Sequence, residues 1–370
     1  MTEGYGGFFP RFKQINCLFI TSFYRDGAFP SKRCLAETLR GGSGGLVRPG
    51  DGKRLQQSAG MQEKNNLMTT KLQGIVAPAL TAVTDNFQID QRRTIAHFEW
   101  LLGNGCDGLV VFGTTSEANS FSIAERRRFL DQVVEAGIEP QKILVGTGCC
   151  ALPDSVELTE HAIQIGCAGV LTLPPFYYKQ LAEEGMFRYF ASLIEGVSND
   201  RLRLYLYHIP PIAVVHFSFP LIEKLIAHYP GIVVGIKDSS GDLEHTRQLI
   251  ERFAGSGFDV FPGSESTLLP ALRIGAVGCI SGVTNVSAPS LQTILRTWQS
   301  AEAEDRQNVV NQVRQVFQGY PLIPALKAVI SKMRGEPAWK NVRPPLVPLP
   351  ESALEGFFEK LDAAGFQWPS

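Results

Sequence analysis

From Gly74 onward the chain alternates short apolar runs with amphipathic stretches, and that alternation constrains the fold more than any other feature. Strand-like runs fall at residues 75–80, 108–112, 143–146, 169–173, 202–207, 233–236, 259–261 and 278–281. Between them, residues 90–102, 122–135, 154–165, 183–194, 220–228, 243–253 and 266–274 carry apolar side chains at helical spacing, and several open on Asp, Ser or Pro. Eight strands alternating with helices over about 210 residues predict an α/β fold, a (β/α)8 TIM barrel. The rival, an open doubly wound sheet, ordinarily carries Gly-x-Gly-x-x-Gly after its first strand, and that motif is absent here. Helical patterns at 291–300, 303–317, 323–333 and 351–364 add C-terminal helices.

The expected organisation is therefore an N-terminal extension at 1–73, a catalytic barrel at 74–285 and a helical region at 286–370. The extension contains Gly-rich and basic pieces such as Arg40-Gly-Gly-Ser-Gly-Gly45 with no sustained period, so little packed structure is expected there. Its apolar patch at 15–23 is interrupted and makes a weak signal peptide.

A net charge of −1 and 44% hydrophobic residues lack the basic excess of nucleic-acid or membrane-surface binders. No apolar run approaches the length of a membrane span, so the expectation is a soluble, cytoplasmic protein acting on small molecules. Seven cysteines without a Cys-x-x-Cys pair indicate neither a disulfide framework nor a zinc knuckle. Six scattered histidines, with no His-x-His or His-x-x-x-His pair, argue against a metal-dependent mechanism.

Chemistry enters at Gly231-Ile-Val-Val-Gly-Ile-Lys237-Asp, where one lysine closes an apolar, β-branched run. An amine sheltered among Ile and Val loses hydration, which favours the neutral nucleophile that attacks a carbonyl. A lysine that merely reaches out of a strand end into solvent is the plainer alternative. In a barrel, reactive groups sit at the carboxyl ends of strands, and the other unusual residues gather at such ends. The second strand runs into Phe112-Gly113-Thr114-Thr115-Ser116-Glu117, where Gly113 permits a tight turn and adjacent hydroxyls and amides can bind a carboxylate. The fifth ends in Tyr205-Leu-Tyr207-His208-Ile-Pro-Pro211, which can aim the Tyr207 phenol into the barrel mouth. After the fourth comes the aromatic loop Pro174-Pro-Phe176-Tyr177-Tyr178-Lys179.

Gly113-Thr-Thr-Ser-Glu117, Pro175-Phe-Tyr-Tyr178, Tyr207-His-Ile-Pro210 and Gly235-Ile-Lys237-Asp resemble, in order and spacing, the signature motifs of the dihydrodipicolinate synthase and N-acetylneuraminate lyase family. The resemblance runs from about Gly74 to near the C-terminus, and Gly263-Ser-Glu265 and Gly278-Cys-Ile280-Ser-Gly-Val-Thr-Asn285 are similar to later, pocket-lining motifs. It implies a cofactor-free barrel, usually a homotetramer, in which Lys237 condenses with pyruvate or another 2-oxo acid. The protonated imine then stabilises a C3 carbanion that attacks an aldehyde or is released by cleavage. By the same resemblance, Thr114 and Thr115 grip the carboxylate and relay protons, with Thr115 also catalytic. Tyr207 is the acid/base, Tyr178 reaches a neighbouring subunit's site, and Gly113, Gly263 and Ile280 line the pocket.

Three departures bear on the substrate. Where dihydrodipicolinate synthases carry a carboxylate-binding arginine, this chain reads Pro211-Ile212-Ala213-Val214, which removes about 2–3 kcal/mol of carboxylate recognition. Ser116 replaces a glycine, and His208 stands where asparagine is common, as a hydrogen-bonded histidine or a substrate contact. A sugar-phosphate barrel would use the loops at Gly263 and Ser281, but Glu265 would repel phosphate. Serine-nucleophile hydrolysis lacks its Gly-x-Ser-x-Gly elbow. The reading is a pyruvate-type aldolase or lyase of the lysine Schiff-base class. The alternatives are dihydrodipicolinate synthase itself, a 2-keto-3-deoxy acid dehydratase or deaminase using the same imine, and a non-catalytic 2-oxo-acid binding protein.

Overall fold

The computed structural model describes residues 71–368, so the expected extension, apart from 71–73, lies outside the described residues. Eight short strands form the centre: β1 (Gly74–Pro78), β2 (Gly108–Val111), β3 (Ile143–Gly146), β4 (Gly169–Thr172), β5 (Leu204–His208), β6 (Val233–Asp238), β7 (Asp259–Pro262) and β8 (Gly278–Ile280). Neighbours in sequence pair in parallel from β1 to β7, and β8 pairs with β1. At the remaining seam the Val277 N–H donates to the Val260 carbonyl at 3.2 Å, drawing the sheet round into a barrel.

Helices cover the outside. They are α1 (Gln91–Gly103), α2 (Ile123–Glu135), α3 (Leu152–Ile165), α4 (Glu183–Val197), the short α5 (Pro210–Ala213), α6 (Phe219–His228), α7 (Leu243–Phe253) and α8 (Leu268–Arg273). Sequence chemistry sets their ends. Ser122 and Glu125 form a reciprocal capping box at the start of α2, Asp90 and Ser218 cap α1 and α6, and Gly166, at φ 92°, terminates α3.

Strand alternation divides the core in two. Ile75, Leu109, Val111 and Val145 face the helices, while Val76, Val110, Leu144, Leu171, Tyr205 and Phe261 fill the barrel interior. On β6 the alternation is broken. Leu204 pairs with Val233 but Tyr205 pairs with Gly235, so one step along β5 spans two residues of β6. Val233 and Ile236 face the helices and Val234 faces inward, and this bulge resets the phase so that Lys237 points into the barrel. Gly235 makes it possible, because a Cβ there would lie 2.6 Å from the Tyr205 ring.

Beyond β8 come α9 (Thr284–Thr297), α10 (Ala303–Gln318), α11 (Leu322–Arg334) and α12 (Glu351–Ala363). Val283, Phe317, Leu326, Val329, Trp339 and Phe357 build a second apolar core there, and its members Leu80 and Ala82 tie it to the segment after β1. Helix α9 starts seven residues before the expected 291 because it continues across a non-helical Ser287 and carries Pro289 within it.

Candidate active site

Tyr207 and Lys237 are register partners on β5 and β6, so their side chains leave the sheet together. Lys237 is only 4% exposed, and its Nζ donates to the Tyr207 Oη at 3.2 Å while lying 4.3 Å from the centre of that ring. The Tyr207 Oη in turn lies 3.4 Å from Thr114 Oγ1. Amine, phenol and hydroxyl thus form a chain across three strand ends. The amine has no carboxylate within ion-pair distance among the described residues. This geometry presents a sheltered nucleophile beside a proton carrier.

Other anticipated residues fall at different distances from this chain. Thr115 is buried, and its hydroxyl faces Gly282, where an added Cβ would lie 3.4 Å away. The hydroxyl that reaches the phenol is therefore Thr114's. Ile280 is fully buried in the interior cluster with Tyr207 and Phe261. Gly263 closes a gap: its N–H donates to the Asp238 carbonyl at 2.7 Å, and a Cβ would lie 1.9 Å from Ser239 Oγ. Tyr178 is 71% exposed and packs edge-on against Tyr177, with no contact to Tyr207 or Lys237 within this chain.

The tight turn after β2 is made differently from the expectation. Gly113 does not adopt the left-handed region. Phe112 does, at φ 59°, as does Glu117 at φ 61°, and non-glycine residues held there cost about 1–3 kcal/mol each. The Phe112 carbonyl fits beside Gly146 only because that residue has no side chain: a Cβ there would meet the Phe112 carbonyl oxygen at 2.1 Å. Ser116 holds the turn to β1, donating its hydroxyl to the Ala79 carbonyl at 2.5 Å.

His208 and Asp238 follow Tyr207 and Lys237 and so point outward. The His208 Nδ1 accepts the Phe217 N–H at 3.2 Å, and its ring stacks on His245 with centroids 4.7 Å apart. Burial holds its pKa down at about 4. The His245 Nδ1 lies 3.0 Å from the Asp238 carboxylate, which also accepts from the Thr246 hydroxyl and the Ser240 N–H. The bond to Asp238 raises the His245 pKa; burial pushes the Asp238 pKa up, but the bonds from His245, Thr246 and the Ser240 N–H together bring it below its ordinary value. His208, Asp238 and His245 are close enough to converge on a cation, but the His208 Nδ1 and both Asp238 oxygens are already engaged in hydrogen bonds. The trio stiffens the ends of β5 and β6 from behind.

Three polar residues that close the quoted motifs support the mouth in ways the motifs alone do not assign. Asn285 is fully buried: its amide donates to the Pro78 and Gly282 carbonyls, both at 2.9 Å, and its carbonyl accepts from Leu80 N–H and from His97 Nε2. Glu265, also fully buried, accepts from the Ser281 hydroxyl and faces Arg314 at 3.5 Å. Glu117 pairs with Lys327 of α11 inside the protein. The available signal was position: each closes a motif at the carboxyl end of a strand.

The model of the dihydrodipicolinate synthetase family matches residues 71–364. A DapA-like lyase of Chloroflexus aurantiacus, itself uncharacterized, is 32% identical over 295 residues, which is 78% of this chain and 97% of that protein. Among solved structures, dihydrodipicolinate synthase from Agrobacterium tumefaciens is 30% identical with a TM-score of 0.73, over 79% of this chain and 99% of its own. An Escherichia coli prophage protein of the dihydrodipicolinic acid synthase family, crystallised with pyruvate, is 27% identical, also at 0.73, over 80% and 100%. The chain belongs to the dihydrodipicolinate synthetase family and is a lyase of its lysine Schiff-base class. Among the described residues, no helix is long and apolar enough to cross a membrane.

Proposed function

We propose that Lys237 forms an imine with pyruvate or a related 2-oxo acid and that the enzyme makes or cleaves the bond between its C3 and an aldehyde carbon. The observation that carries this is the 3.2 Å contact between Lys237 Nζ and the Tyr207 phenol, itself 3.4 Å from the Thr114 hydroxyl. The amine lone pair attacks the keto carbon, and the keto oxygen leaves as water after gaining two protons. Loss of a C3 proton moves its electron pair into the enamine, which the cationic imine stabilises. The enamine then attacks an aldehyde carbon, whose oxygen takes up a proton, and water releases the product from Lys237; the reverse sequence cleaves. Tyr207 carries the protons, with Thr114 as its relay. Thr115 and the amides of the 113–115 turn hold the carboxylate, beside Ile280. The imine is the electron sink, so neither metal nor organic cofactor has a step to perform.

The aldehyde is proposed to lack a carboxylate where dihydrodipicolinate synthases bind one. Ile212 of α5 is 63% exposed and Val214, at its end, 53% exposed, offering apolar surface in that place. A homotetramer in the cytoplasm is part of the same proposal, with Tyr178 completing a neighbour's site from its exposed position. A panel of 2-keto-3-deoxy acids, assayed for pyruvate release, tests the reading. Cleavage of at least one, abolished in Lys237→Ala with the fold retained, is expected. Equal turnover by Lys237→Ala would refute it.

A further inference from the structure

The turn that carries Thr114 and Thr115 is not held by its own bonds alone. Glu117 ends it in a left-handed conformation with its carboxylate wholly buried. One carboxylate oxygen takes the ammonium of Lys327, also wholly buried, and the other accepts the Arg343 N–H at 2.7 Å. Lys327 donates further to the Asn341 carbonyl at 2.7 Å, and the Asn341 amide reaches Asp85 at 2.8 Å. Burial pulls the Lys327 pKa down, opposed by the charge of Glu117. On the same helix, Leu322 and Leu326 pack toward Gly282, the residue that Thr115 faces. A buried ion pair is seldom a source of net stability, because desolvating two charges offsets their attraction; its best-attested use is to fix one geometry against others.

We infer that Glu117 and Lys327 are positioning residues for catalysis: the pair locks the Thr114–Thr115 turn to α11 and so keeps the Thr114 hydroxyl on the Tyr207 phenol. Neither touches the reacting atoms. The inference rests on the Schiff-base reading above. An uncharged substitute for the pair would keep the fold and lose the register, so the split between stability and turnover is diagnostic.

The test is the double variant Glu117→Gln/Lys327→Met, compared with the parent by thermal melting, by borohydride trapping of pyruvate and by kcat and KM. The expected result is a melting temperature near the parent's, a trapped adduct on Lys237, and a kcat lower by about tenfold or more with a smaller change in KM. A kcat within about twofold of the parent's in folded protein overturns the inference. Should the double variant fail to fold, Glu117→Gln alone keeps the shape and the acceptor for Arg343 while removing the charge. The same loss of kcat with trapping intact supports the inference, and an unchanged kcat overturns it. Trapping by the parent separates the two claims: without it the Schiff-base reading fails and this inference falls with it, whereas a trapping parent and an indistinguishable variant remove this inference alone.

Discussion

Replacing Tyr207 by Phe isolates one atom of the proposed relay. The ring lies 4.3 Å from Lys237 Nζ and fills the barrel interior, so Phe retains the packing and the face presented to the amine. What disappears is the Oη, with its contacts at 3.2 Å to Lys237 and 3.4 Å to Thr114. General acid/base catalysis by a positioned group contributes about 10²–10⁴-fold. That range corresponds to about 2.7–5.5 kcal/mol of barrier, more than the ~1 kcal/mol a lost hydrogen bond alone contributes to stability. Steady-state pyruvate release should fall within that range in kcat. Borohydride trapping after long incubation should still label Lys237, because the amine remains. A kcat within about threefold of the parent's would show that protons travel by another route and would refute the relay.

Other perturbations follow from single contacts. Gly235→Ala places a methyl group 2.6 Å from the Tyr205 ring and 2.7 Å from the Asp259 carbonyl oxygen, both inside the barrel. It should destabilise the protein by about 1–3 kcal/mol in urea melts and lower kcat by tilting Lys237; an unchanged kcat would detach the bulge from the aim of the lysine. His97 is fully buried, and burial holds its pKa near 3, against 6.5 when unperturbed. The unfolded chain therefore takes up the proton first, and the stability His97 contributes is complete above pH 6.5 and lost as pH falls toward 3, by up to about 1.4 kcal/mol per pH unit. His97→Gln should flatten that part of the stability curve between pH 6.5 and 4.5; an unaltered slope would contradict it. Ile212→Arg should improve kcat/KM for a carboxylate-bearing aldehyde by roughly tenfold or more over its uncharged analogue, and no shift in preference would remove Ile212 from the specificity argument.

Much of the barrel is legible in the chain because strand and helix signals alternate without ambiguity. Helix α7 spans Leu243–Phe253, as its apolar spacing indicates, and Lys237 and Tyr207 lie at adjacent strand ends as expected. Less legible is what depends on contacts distant in sequence. A strict period of 2 begun at Val233 would send Lys237 toward the helices, and only the pairing with β5 reveals the bulge that turns it inward. The left-handed residue at the β2 turn is Phe112 rather than Gly113, and the glycine the turn needs is Gly146 of the next strand, whose missing Cβ leaves room for the Phe112 carbonyl. Lys327 lies in the apolar run of residues 322–330, which marks α11 as a buried helix, but its partner Glu117, 210 residues away, cannot be read from that run. Pro210 and Pro211 open the short α5, where fixed φ values suit a first helical turn.

Mass spectrometry of protein incubated with pyruvate and borohydride decides whether the Lys237 amine bonds reversibly to a 2-oxo acid. One reduced adduct per chain is expected, mapped to the peptide containing Lys237 and missing from Lys237→Ala. A parent protein whose mass is unchanged, or an adduct borne by another lysine, would contradict it.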